Sequence, residues 1–349
     1  MQNKINLMND YNIAAHPRVL DALNAAADNR YIGYGLDEEC EAAASMVKAL
    51  IDRPDAEVHF MPGGTVTNMT AIGAFLRPHE AAIAPATAHI NVHETGAIEA
   101  VGHKILTVMT GDGKIRPDDV DEVCEGQTDE HMSKPRLLYI SQTTECGTVY
   151  SRAEFFALRD VCDRRGLLLY VDGARLGYAV TAPGSDLHME AIADKADAFY
   201  IGGTKNGALF GEALVICNES LQGDARYHIK QRGGLMAKGF LLGIQFKALF
   251  QNGLYFALAS KANEMAEELR AALKGLGYDF EVDSPSNQVF PVISEGAAAR
   301  LEEEILFERW HKLGGGNVSI RFVTTWATTA EEIEAVVRLM GRPDVVRSK

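Results

Sequence analysis

Residues 152–173 read RAEFFALRDVCDRRGLLLYVDG, and the fold turns on how this stretch is read. Its first part carries apolar residues at helical spacing and ends on Gly166, where a C′ cap belongs. LLLYVDG (167–173) follows as an unbroken apolar run, the mark of a strand covered on both faces. Downstream, ADAFYIGGTKNGALFGEALVI (196–216) holds two more short strands around a Gly-rich bend. Upstream, EVHFMPGGTVTNMTAIGAFL (57–76) reads as strand, glycine turn and helix. Helices alternating with short buried strands predict an α/β domain with a mostly parallel sheet sandwiched by helices. After about residue 245 the texture changes. KANEMAEELRAALKGLG (261–277) is a long helix, and QVFPVI and VSIRFVTTW are strands with a further helix between them. The division expected is a large domain over 16–244 and a smaller α+β C-terminal domain over 245–349, joined by the N-terminal segment 1–15.

Bulk properties bound the function. The chain has 349 residues, 47% of them hydrophobic and 23% charged, an ordinary globular balance. A net charge of −14 argues against nucleic-acid or anionic-membrane partners, which need a basic face. No apolar stretch is long enough to span a bilayer, and the start MQNKINLMNDYNIAAHP lacks a signal-peptide core. Five scattered cysteines without CxxC suggest reduced thiols and a cytoplasmic protein, and speak against a cysteine metal site.

Four places could carry chemistry. PGGTVTNM (62–69) sets Gly63, Gly64 and Thr65 at a strand-to-helix junction, where backbone N–H groups can surround a phosphate or simply cap the helix. Asp172 ends a buried strand in YVDGARL with Arg175 close behind, either a structural ion pair or a carboxylate facing a protonated ring nitrogen. Lys205, in the Gly-rich bend, is either a solvated loop lysine or an amine whose pKa is lowered for Schiff-base chemistry. HINVHETGAIEA (89–100) places His89 and His93 four apart beside Glu94; it lacks the Glu of an HExxH zinc helix and has no third ligand, so no metal is expected.

Taken together and in this order, the four match what a pyridoxal phosphate site needs: a phosphate anchor, a ring-stacking group, a pyridinium partner and a lysine. The sequence resembles the threonine aldolase and β-eliminating lyase family of fold-type-I pyridoxal phosphate enzymes. The likeness runs from NAAADNRYIGYGLDEECEAA to IRFVTTWATTAEEIEAV, with VDGAR, AHINVHETGA and IRFVTTWATT its most specific pieces. The resemblance implies the following roles. Lys205 holds pyridoxal 5′-phosphate as a Schiff base, Asp172 pairs with the pyridine nitrogen, and His89 stacks on the ring. Gly64 and Thr65 take the phosphate, and Arg175 lies beside the cofactor. Arg321, set in an otherwise apolar strand, binds the substrate α-carboxylate as a fork.

The sequence also departs from the family. SQTTECG (141–147) puts Glu145 where relatives carry a second histidine. Asn9 stands where they often carry a serine, and KQRGGLMAKG lacks the usual arginine, leaving Arg232 or Lys238 to reach a neighbouring subunit's cofactor. The activity implied is retro-aldol cleavage of a β-hydroxy-α-amino acid such as L-threonine or L-allo-threonine to glycine and acetaldehyde. His89, His93 and Glu145 are the candidate bases, His89 favoured. β-Elimination to a keto acid and ammonia is the alternative; an aminotransferase and a non-catalytic relative are less favoured. The family also implies a homo-oligomer, at least a dimer and by preference a homotetramer.

Overall fold

The computed structural model describes residues 4–346. At its centre is a seven-stranded sheet. In chain order the strands are β1 (Glu57–Met61), β2 (Glu80–Pro85), β3 (Ile105–Val108), β4 (Lys134–Ser141), β5 (Leu168–Asp172), β6 (Ala198–Gly202) and β7 (Glu212–Ile216). In space they run β1-β7-β6-β5-β4-β2-β3. β7 is antiparallel to both neighbours and every other pairing is parallel. The chain is therefore α/β with a mostly parallel sheet, as the apolar strand runs require.

The stretch 152–173 folds as its pattern demands. Helix Arg152–Arg165 starts in a capping box, Ser151 with Glu154, and stops at Gly166 in the left-handed region, φ 66°. β5 follows, buried at every position. Side chains alternate across the sheet because a strand's side-chain period is two. Leu169, Val171, Phe199 and Ile201 enter one core; Tyr139, Leu168, Tyr170 and Tyr200 enter the core on the other face. The glycine after Asp172 is set by close approach: a Cβ on Gly173 would lie 1.7 Å from the Tyr200 carbonyl oxygen. No larger residue fits there.

Beyond the sheet, an antiparallel group forms around Asn317–Val323, which pairs with Val292–Ser294, Glu308–Lys312 and Gln288–Val289. It has its own core, including Leu269, Leu273, Val289, Ile293, Ile320, Phe322, Ile333 and Val336. Strand Glu308–Lys312 escapes a reading by apolar runs because Glu308, Arg309, His311 and Lys312 are polar and its residues are largely exposed. Leu7 lies in this same core, and Ile5–Asn6 pairs with Ile305–Leu306. Residue 245 falls inside helix Phe240–Phe250, whose Phe246 and Leu249 belong to the sheet's core. Helix Leu254–Gly275 serves both: Leu254, Tyr255 and Leu258 pack toward the sheet, Leu269 and Leu273 into the other core. Among the described residues no helix is long and apolar enough to cross a membrane.

Candidate active site

Parallel strands open a crevice at their carboxyl ends. Ser141 and Asp172 pair there in register, and Gly202 faces Glu212. The segments carrying Gly64, His89, Glu145, Arg175 and Lys205 all leave the sheet from this edge.

Asp172 is buried and accepts four hydrogen bonds. Asn68 Nδ2 donates to its Oδ2 at 2.9 Å and the Tyr139 hydroxyl at 2.6 Å; the Tyr200 hydroxyl (2.5 Å) and the Ala174 N–H (3.0 Å) donate to Oδ1. Burial raises its pKa, but the His89 charge and these donors outweigh it and hold the group below its ordinary value. It is an anion with a fixed orientation. The Asn68 amide also donates to Glu94 Oε1 at 2.8 Å, and that oxygen holds His89 Nδ1 at 2.8 Å. Glu94 thus fixes the imidazole ring through Nδ1. Burial lowers the pKa of His89, but the bond to Glu94 and the charges of Glu145 and Asp172 raise it overall. His93, 5.4 Å from His89 between ring centroids, goes the other way: burial, with the His89 charge, lowers it. Helix His89–Val92 does set the two rings side by side, and no group of three metal-type side chains gathers among the described residues.

Arg175 is buried at the helix start after β5. Its Nε and Nη2 donate to Asp10 Oδ2 and Oδ1 at 2.8 and 3.0 Å, and Asn287 Nδ2 adds a bond to Asp10 at 3.1 Å. Glu145 lies 3.7 Å from Arg175 Nη1. Lys205 sits among these groups, partly buried, and its amine makes no hydrogen bond or ion pair among the described residues. Burial and the Arg175 charge lower its pKa; Asp10, Glu145 and Asp172 oppose this without prevailing.

Gly64 and Thr65 open helix Gly64–Phe75, whose N-cap, Gly63, offers no side-chain cap. Its first N–H groups face the crevice edge without an internal acceptor. Arg321 stands on an interior strand of the antiparallel group. It pairs with Glu308, donates from Nη1 to Gln288 Oε1 at 3.1 Å, and lies 4.9 Å over the Trp310 ring, while its buried Nε has no hydrogen-bond partner among the described residues. Burial, then the Arg175 charge, lowers its pKa, while Glu308, Asp10 and Glu145 oppose this without prevailing. Asn9 is next to Asp10 and accepts from the Tyr11 N–H at 3.1 Å. Arg232 and Lys238 do not join the cluster within one chain. Arg232 donates to the Gly73 carbonyl (3.2 Å) and meets His228 (3.0 Å), and Lys238 is exposed.

Residue-by-residue reading missed Asp10, Asn68, Tyr139 and Tyr200 as parts of the site, and named Glu94 only as the neighbour of the histidines. Asn68 left a signal: Thr67, Asn68 and Thr70 are polar yet buried in a helix with no wet face. The tyrosines left none, since in a buried strand they read as core.

The model of the β-eliminating lyase family matches residues 15–295. A low specificity L-threonine aldolase of Pseudomonas aeruginosa is 31% identical over 327 residues, 92% of this chain and 93% of the relative. The solved Leishmania major threonine aldolase superimposes with a TM-score of 0.96 at 43% identity, covering 98% of this chain and all (100%) of that one. A Thermus thermophilus aspartate aminotransferase mutant, 15% identical with a TM-score of 0.72 over 97% of this chain and 91% of its own, shares the fold.

Proposed function

The chain belongs to the β-eliminating lyase family, and on that footing we propose that it is a pyridoxal 5′-phosphate-dependent aldehyde-lyase cleaving L-threonine or L-allo-threonine to glycine and acetaldehyde. The observation that carries this reading is the Lys205 amine: without a partner among the described residues, lowered in pKa, and set just past the strand neighbouring that of the fixed Asp172 carboxylate.

The residues present fit the cofactor. Lys205 supplies the attachment amine. Asp172, ionised and held by four donors, suits a protonated ring nitrogen; His89 offers a ring fixed by Glu94; the open N-terminus at Gly64 and Thr65 suits a phosphate. When bound, the cofactor supplies an electron sink for the charge left at Cα as a bond to it breaks. The chain's own groups decide which bond that is. Arg321, whose Nε has no partner among the described residues, takes the α-carboxylate and so orients Cα. The β-hydroxyl proton needs a base, and His93 suits this better than His89. Its lowered pKa keeps it neutral near pH 7, whereas Glu94 biases His89 toward the cation. Glu145 serves as the second anion beside Arg175.

Acetaldehyde and glycine in equal amounts from L-threonine, with turnover falling on the acid side as His93 takes up a proton, is the expected result. Ammonia and a keto acid without acetaldehyde would place the chain with β-elimination instead. In the same assay Arg321→Lys loses the fork, worth about 1.5–3 kcal/mol to a charged partner, and raises KM by roughly 10- to 100-fold; an unchanged KM removes Arg321 from the site.

Tyr11, Ile13, Leu20, Ile32, Tyr34 and Leu36 are exposed apolar side chains concentrated near the start of the chain, which supports a homo-oligomer. A single-chain mass by light scattering would remove that part of the reading.

A further inference from the structure

Glu212 opens β7 and is buried, 4% exposed. Both oxygens of its carboxylate are engaged. Oε1 accepts from the Thr204 hydroxyl at 2.8 Å and Oε2 from the Gly203 N–H at 3.0 Å. The Thr204 oxygen in turn accepts from the Gly211 N–H at 2.9 Å, and the Gly211 carbonyl accepts from the N–H groups of Gly203 and Thr204, each at 3.0 Å. These bonds close the turn 203–211 at its neck, and Lys205 is the residue after the closed pair. Behind it, the Tyr178 hydroxyl donates to the Lys205 carbonyl at 2.5 Å. The lysine backbone is therefore held from both sides.

A neutral side chain could accept the same two bonds, and an ionised carboxylate is costly to bury without a cation. Lys205 is the cation whose charge favours the ionised form. Burial pushes the Glu212 carboxyl up to about 7, with Asp172 adding to the rise, while Lys205, the Thr204 hydroxyl and the Gly203 N–H draw it down. Tyr200 and Tyr255 also lie near the carboxylate. Toward the lysine amine face Arg175, which disfavours its charge, and Asp10, Glu145 and Asp172, which favour it.

We propose that Glu212 is a positioning residue for Lys205: its carboxylate closes the turn that carries the lysine and sets a negative charge at the base of that turn. The inference rests on the cofactor reading given above. To Asp10, Glu145 and Asp172, which favour the charge at the lysine nitrogen, it adds an anion on β7, outside the crevice-lining segments.

The test is a spectroscopic titration of the reconstituted holoenzyme. Glu212→Gln keeps volume but removes the charge. The midpoint of the visible band of the Lys205–cofactor linkage is expected to fall by about one pH unit, a tenfold change in the proton equilibrium. Apparent cofactor affinity is expected to weaken in parallel, with an unchanged far-UV circular dichroism spectrum. Thr204→Val keeps the charge and removes one tie, so affinity should weaken while the midpoint holds. A Gln variant with midpoint and affinity both within about twofold of the unaltered protein overturns the proposal. Should that variant not fold, Thr204→Val decides: unchanged cofactor affinity overturns it, weakened affinity supports it. An unaltered protein that forms no visible band with the cofactor overturns the cofactor reading itself, and this inference with it.

Discussion

Lys205→Ala is expected to reduce threonine cleavage by on the order of 10^4-fold or more, the scale seen when a residue acting in concert with its neighbours is deleted. The loss should be chemical rather than structural. The lysine amine has no hydrogen-bond or ion-pair partner to strand among the described residues, and its lowered pKa means that the fold disfavours its charge. Below that folded value a lysine so placed costs stability, because the unfolded chain binds the proton more tightly. At neutral pH the alanine variant should therefore unfold no earlier than the unaltered protein, and it should no longer form the visible band with pyridoxal phosphate. Turnover within tenfold of the unaltered protein would end the assignment of Lys205 as the attachment point. Early unfolding would show instead that the ammonium has a structural partner.

Asp10→Asn carries the largest expected effect on stability. The carboxylate is 1% exposed and holds Arg175 through two bonds. An amide of the same shape leaves a buried guanidinium with Glu145 at 3.7 Å as its remaining anion. Breaking one side of a buried pair costs about 3–5 kcal/mol, and urea unfolding midpoints at pH 7 should show it. The pH dependence gives a second check. Burial raises the Asp10 pKa, but the charges of Arg175 and Lys205 and the bonds from Arg175 and Asn287 bring it down to about 2 from 3.8. A depressed folded value contributes stability above the unfolded pKa and loses it as pH falls through the folded one. The gap between the two proteins should therefore be full above about pH 4 and narrow toward pH 2, by roughly 2.5 kcal/mol for a shift of this size. A gap below about 1 kcal/mol at pH 7, or one that stays constant with acid, would show that the pair is solvated or dispensable.

Much of this was legible in the sequence where one physical cause dominates. The 152–173 stretch needs only apolar spacing and a glycine cap, and both survive into the structure. Lys205 and Asp172 stood out because a charge at the end of a buried strand demands a reason. What stayed hidden depends on contacts between distant segments. Asp10 meets Arg175 across 165 positions, and Asn68 reaches Asp172 across 104. Neither has a local pattern. Glu212 was visible only as the first acid after Lys205, and its use of both oxygens on the turn emerges once β6 and β7 pair. Strand Glu308–Lys312 was missed for the opposite reason. Its polar, largely exposed residues carry too little apolar signal to mark a strand, although Glu308 ends up against Arg321.

Helix Leu254–Gly275 has a consequence for any attempt to take the molecule apart. Its first turns are keyed into the sheet and its last turns into the antiparallel group, so it acts as a shared keel. Asn263, midway along it, donates to the Tyr178 carbonyl at 2.9 Å, and the Ala262 carbonyl accepts from the Thr324 hydroxyl at 2.6 Å. A cut anywhere along that keel strips an apolar face from one half or the other. Splitting, swapping or permuting this chain for engineering therefore has its natural seams elsewhere, in exposed turns such as 129–132.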